Sequence, residues 1–251
     1  MRRTITAAAT LAAASATAEP THIDLRALSR GAKFIGTSMG GVRFTLEDVQ
    51  TGEVLTTGVA TGSTGDTEAL MDAPRNSPVA GEGASVWTAT LDIDEPRLVR
   101  AVAYGPLAQP QSARRVTAEQ WIVPGRDLTG GDGWVIEIPG LVVDTLAPAA
   151  HTVLDAEADA VEVTANVMMM CGCPIEPDGV WDAADFQVVA RVSHNGELQR
   201  TVPLEPTDKP SHFAAEIAVD VPGDYGLTVV AHQPSNGNTG LDRTTFVLPR
   251  E

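Results

Sequence analysis

Val161-Glu162-Val163-Thr164-Ala165-Asn166-Val167 alternates apolar and polar side chains, and this stretch decides the fold. A period of two puts every odd residue on one face, the pattern of a strand with one side buried. Phe186-Gln187-Val188-Val189-Ala190-Arg191-Val192 reads as a partner strand. His194-Asn195-Gly196-Glu197 follows it, and Asn-Gly readily takes the positive φ of a tight hairpin. Phe213, Ala215, Ile217, Val219 and Val221 line one face of a further strand, and Leu227, Val229 and Ala231 line another. Thr244 to Leu248 closes the set. Short strands broken by Gly, Pro, Asn and Asp predict an antiparallel sandwich.

The same period runs through the first half. Val42, Phe44 and Leu46 share a face, and Thr51-Gly52 turns the chain into Glu53-Val54-Leu55. Trp87 to Ile93 and Trp134 to Ile138 alternate again. Long amphipathic helical stretches are missing. The expectation is therefore an all-β chain of two tandem antiparallel β-sandwiches, spanning residues 19–145 and 146–251, with a linker near Val143 to Ala150.

Two local patterns resemble known families. Gly41 to Thr67, with its G-V-x-F-x-L-x-D-x-x-T-G-x-V-L spacing, resembles prealbumin-like domains of exported bacterial proteins, among them the carboxypeptidase-regulatory-like domains. That resemblance implies a scaffold or binding module. The corner Pro222-Gly223-Asp224-Tyr225 resembles the tyrosine-containing bend of immunoglobulin-like and fibronectin type III domains.

Residues 1–18 read as a secretory signal peptide. Arg2 and Arg3 form a positive n-region, Ile5 to Ala14 an apolar stretch, and Ala16-Thr17-Ala18 a cleavage motif. The expected location is periplasmic or secreted, an oxidising compartment. No run approaches the length of a membrane-spanning helix, so membrane insertion is not expected. Residues 1–18 carry two arginines and no acid, so the remainder holds 15 basic against 33 acidic residues, a formal charge of −18. Such a charge argues against nucleic acid as partner. It fits a soluble envelope protein, a salt-adapted host, or docking on a basic partner such as another envelope protein.

Met168-Met169-Met170-Cys171-Gly172-Cys173-Pro174 holds half of the six methionines and both cysteines. Thioethers and thiolates are soft ligands that select Cu(I). The candidate metal ligands are Cys171, Cys173, Met168 and Met170, completed by a histidine: His232 first, then His151 or His212. Strand order read from pattern sends these three histidines to the pole that carries the cysteines. Strand parity turns Met169, Cys171 and Cys173 inward and Met168 and Met170 outward. The expected role is copper capture or transfer to an acceptor, without turnover. The alternative is a non-catalytic envelope interaction module in which Cys171 and Cys173 form a structural disulfide. That bond needs Gly172 to bend the chain, because residues i and i+2 of an extended strand stand about 7 Å apart at Cα, the upper limit for a disulfide. A thiol redox cycle is a third reading.

No catalytic residue is assigned. Gly36-Thr37-Ser38-Met39-Gly40 matches the G-x-S-x-G elbow, but a strand pattern follows it where the elbow needs a helix. Asp92 to Glu95, Asp127 to Asp132, and Asp178, Asp182 and Asp185 read as turn acids. Trp181 reads as a plug for the second sandwich.

Overall fold

The computed structural model describes residues 17–74 and 77–250. All but the last two residues of the expected signal peptide lie outside them. The alternating segments of the first half form seven strands: β1 (Glu19–Ser29), β2 (Val42–Asp48), β3 (Val54–Ala60), β4 (Trp87–Ile93), β5 (Arg97–Gly105), β6 (Arg114–Ile122) and β7 (Trp134–Ile138). They make two sheets, ordered β4-β1-β7 and β3-β2-β5-β6. Pairing is antiparallel except between β1 and β7. A short helix, α1 (Thr67–Asp72), lies in the β3–β4 connection, where Asp66 accepts a capping hydrogen bond from Ala69 N at 2.8 Å. Val42, Phe44 and Leu46 face the core with Ala89, Leu91, Ile93, Ile136 and Ile138, as their alternation predicts.

Nine strands follow: β8 (Leu141–Ala147), β9 (Thr152–Val153), β10 (Ala160–Met169), β11 (Gln187–His194), β12 (Glu197–Pro203), β13 (Glu205–Pro206), β14 (His212–Ala218), β15 (Gly223–Gln233) and β16 (Asn238–Leu248). Their sheets run β13-β14-β10-β8 and β12-β11-β15-β16-β9. Val161, Val163, Ala165 and Val167 of β10 point between the sheets at Phe213, Ile217, Leu227 and Val229. Asn195 and Gly196 both take positive φ in the β11–β12 hairpin. Tyr225 is buried, and its hydroxyl donates to Val221 O at 2.8 Å. This is the corner expected of an immunoglobulin-like sandwich. The chain is all-β, built of antiparallel-rich sheets packed in pairs.

One segment differs from its expectation. Val143 to Ala150, read as a linker, is largely strand. β8 pairs with β10, setting Leu141 opposite Met169 and Val143 opposite Val167. The chain then crosses at Pro148 to β9, which runs parallel to β16. Leu141-Val142-Val143 is apolar on both faces because it is buried on both. Leu141 and Val143 enter the second core and Val142 the first.

Candidate functional site

The sulfur-rich run is the turn that ends β10. Gly172 N donates to Met169 O at 2.8 Å and Met169 N to Cys173 O at 3.1 Å, so the chain doubles back within four residues. Gly172 sits at φ 78°, in the left-handed region. That bend brings the Cα atoms of Cys171 and Cys173 to 5.4 Å, and the two residues are joined in a disulfide. Both are buried.

The three methionines are shared between two cores. Met169 faces the second core with Cys171 and Cys173. Met170 is completely buried in the first core, and Met168 packs against that core while half-buried. The parity is as expected, but the outward side is not solvent. The first sandwich covers it, which is how three consecutive thioethers are all packed. Ala32 of the first sandwich enters the second core in return.

Polar contacts fix this seam. Trp181 fills the second core, and its Nε1 donates to Gly31 O at 3.0 Å. Asn238, fully buried at the start of β16, accepts from Gly140 N at 2.9 Å and donates to Arg30 O at 3.0 Å. Ser112 Oγ accepts from Val143 N at 3.3 Å, and Gln111 donates to Asp144. Burial of Asp144 raises its pKa from the ordinary aspartate value. The charge of Asp242 adds to the rise and the Gln111 hydrogen bond opposes it. A groove of about 330 Å³ opens along the seam, bordered by Cys171, Cys173 and Trp181 on one side and Lys33, Ser38 and Thr67 on the other. The Lys33 ammonium donates to Gly65 O and Thr67 Oγ1, both at 3.0 Å.

The histidines do not converge on the cysteines. His212 sits opposite Asn166, on the outer side of its sheet, with Nδ1 against Thr207 Oγ1 at 3.1 Å. Its neighbour Phe213 takes the inward position. His232 lies on the outer side of the other sheet, opposite Gln187 and Thr239, since Ala231 points inward. Packed sheets stand about 10 Å apart, so groups on opposite outer faces cannot share a ligand with a disulfide held between them. His151 lies beside Thr245, well down β16 from its start at Asn238. The reason is topological: the first strand of this sandwich begins at Leu141, so His151 falls partway along the sheet. Among the described residues, no group of three or more His, Cys, Asp or Glu side chains is placed to hold a metal ion.

Other motifs have local tasks. Thr37–Met39 is a single 3-10 turn leading into β2, without the strand-to-helix turn of a nucleophile elbow. Asp127 accepts from His22 N at 2.8 Å, Asp132 from Ala80 N at 2.7 Å, and Asp182 from Ala184 N at 3.1 Å. These acids hold loops. The seam residues Asn238, Ser112 and Gln111 went unread in the sequence, because a buried Asn after Asn236-Gly237 looks like any turn residue.

No family model matches the chain, and no curated protein matches it. Solved structures offer distant likenesses. An engineered protein shares 16% identity over 50% of this chain, with a TM-score of 0.32; the matched part spans 24% of that chain's length. The fibronectin(III)-like modules of Clostridium thermocellum CbhA share 13% identity, covering 83% of this chain and 78% of theirs, with a TM-score of 0.31. A DUF3823 family protein from Bacteroides uniformis shares 10% identity, covering 93% of this chain and all of that one, with a TM-score of 0.29. The fold assignment rests on the sheets described above.

Proposed function

We propose that this chain is an exported, non-catalytic interaction module of the cell envelope in which the Cys171–Cys173 disulfide is structural. The observation that carries the reading is that every sulfur of the Met168–Cys173 run is already engaged. The cysteines are bonded to each other, Met169 and Met170 are sealed in two cores, and Met168 packs against the first. A soft-metal site needs thiolates or thioethers free to move onto the ion. The formal charge of −18 for residues 19–251 suits a partner with a basic surface, another envelope protein, reached by electrostatic steering. Export rests on the Arg2-Arg3 leader pattern.

Copper capture remains the second reading, and one observation favours it. Cys171 and Cys173 border the seam groove together with Lys33, whose positive charge would favour thiolates once the bond was reduced. Protein isolated without reductant should be tested by thiol counting and by Cu(I) titration against a competing chelator. The structural reading expects no free thiol and no competition for Cu(I). Two free thiols with tight binding of one equivalent would replace it with copper handling.

A further inference from the structure

The outer face of the five-stranded sheet carries a groove of about 380 Å³ with a character opposite to that of the chain as a whole. Arg191 of β11, Thr228 of β15 and Arg243 of β16 form one row across three adjacent strands. The two arginines are therefore two strand spacings apart, about 9–10 Å at Cα, and both line the same groove. Among the described residues neither guanidinium has a carboxylate partner. The groove lining contains no Asp or Glu, in a protein with 33 of them.

Ser193, two residues on from Arg191 and on the same face, borders the groove. Gly226 occupies the next row, opposite Ser193 and Thr245, where an added Cβ would lie 2.5 Å from Ser193 Oγ. Ser193 Oγ instead donates to Gly226 O at 3.2 Å. Aliphatic side chains flank the arginine row, Val230 and Leu241 on one side and Leu198, paired with Ser193, on the other. Two unpaired planar donor forks facing one space match a carboxylate, which accepts such forks two bonds at a time. Hydrocarbon walls match an aliphatic body.

We propose that this groove binds an aliphatic carboxylate, its head between Arg191 and Arg243 and its chain along Val230 and Leu241. The site is separate from the seam and does not rest on the reading of the disulfide. The test is calorimetric titration of the full protein with octanoate, octanol, acetate and octyl phosphate, repeated on Arg191→Gln and Arg243→Gln. Both substitutions are at exposed positions, and unchanged thermal unfolding would confirm that the variants fold. Octanoate should bind at one equivalent, more weakly as salt is raised. Each variant should lose about tenfold or more in affinity, the worth of a charged hydrogen bond. Octanol and acetate should each bind at least about tenfold more weakly than octanoate. Absence of saturable octanoate binding overturns the proposal, as does octanoate binding that both variants retain. Octanol binding as well as octanoate would leave an apolar groove without anion recognition. Acetate binding as well as octanoate would leave an ion site without a hydrocarbon wall. Tighter binding of octyl phosphate would reject the carboxylate assignment.

Discussion

Asn238 grips the backbone of Gly140: its Oδ1 accepts from Gly140 N at 2.9 Å in a fully buried position. The other end of the same amide donates to Arg30 O, and to Gln233 Oε1 at 3.2 Å. One side chain thus ties β16, the chain entering β8 and the end of β1. Asn238→Ala strands the buried Gly140 N–H and removes the donor to the part-buried Arg30 C=O. An unsatisfied buried group costs about 1–3 kcal/mol and an ordinary lost hydrogen bond about 0.5–1.5 kcal/mol, so the variant should lose about 2–4 kcal/mol on denaturant unfolding. Asn238→Asp, which keeps the acceptor but not the donor, should also destabilise. Wild-type stability for Asn238→Ala would show that the amide does not hold the seam.

How much of this was legible follows from which faces the chain buries. β2 and β10 each bury one face against a core of their own sandwich, so the alternation of Val42-Arg43-Phe44 and Val161-Glu162-Val163 reports them directly. Leu141-Val142-Val143 and Met168-Met169-Met170 bury both faces, against two different cores, and alternation vanishes there. Without it, β8 reads as linker and the thioethers as surface ligands. His212 and His232 miss the disulfide because Phe213 and Ala231 take the inward positions beside them, whereas His151 misses it through the same loss of alternation. Starting the first strand of the second sandwich near His151 instead of at Leu141 shifts His151 to the wrong end of the sheet.

Met170 and Met168 separate packing from ligation. Met170 is fully buried, and truncation to Ala should cost about 2–5 kcal/mol, the range for large-to-small core changes. Met168 is only partly buried beside the same core, so Met168→Ala should cost less. Urea denaturation of both variants checks the order. Equal and negligible losses would contradict the two-core packing and return the thioethers to the list of available ligands.

Gly172 carries the bend that lets the cysteines pair. Its φ of 78° costs a non-glycine residue about 1–2 kcal/mol. A Cβ there would also lie 2.6 Å from Met39 Sδ of the first sandwich. Gly172→Ala should therefore destabilise by more than the backbone term alone and slow formation of the Cys171–Cys173 bond during oxidative refolding. Thiol trapping against time measures the second effect. An Ala variant as stable as wild type would mean that neither the φ nor the Met39 contact constrains the turn.

Asp144 makes the seam sensitive to acid in an unusual direction. Burial and the neighbouring Asp242 charge raise its pKa in the folded chain. The folded state therefore binds a proton more readily than the unfolded state at this position. Between about pH 4, the ordinary aspartate value, and the raised value of Asp144, stability falls as pH rises. Most paired carboxylates contribute with the opposite sign. Asp144→Asn keeps a polar group for Gln111 and removes both the buried charge and its repulsion with Asp242. The variant should match or exceed wild-type stability at pH 7 and gain less than wild type when the pH is lowered through that window. Denaturant midpoints measured from pH 4 to 7 give the comparison. A variant that loses stability at pH 7 while keeping the wild-type pH slope would show that the Asp144 carboxylate is stabilising as an anion, held by Gln111 more strongly than Asp242 repels it.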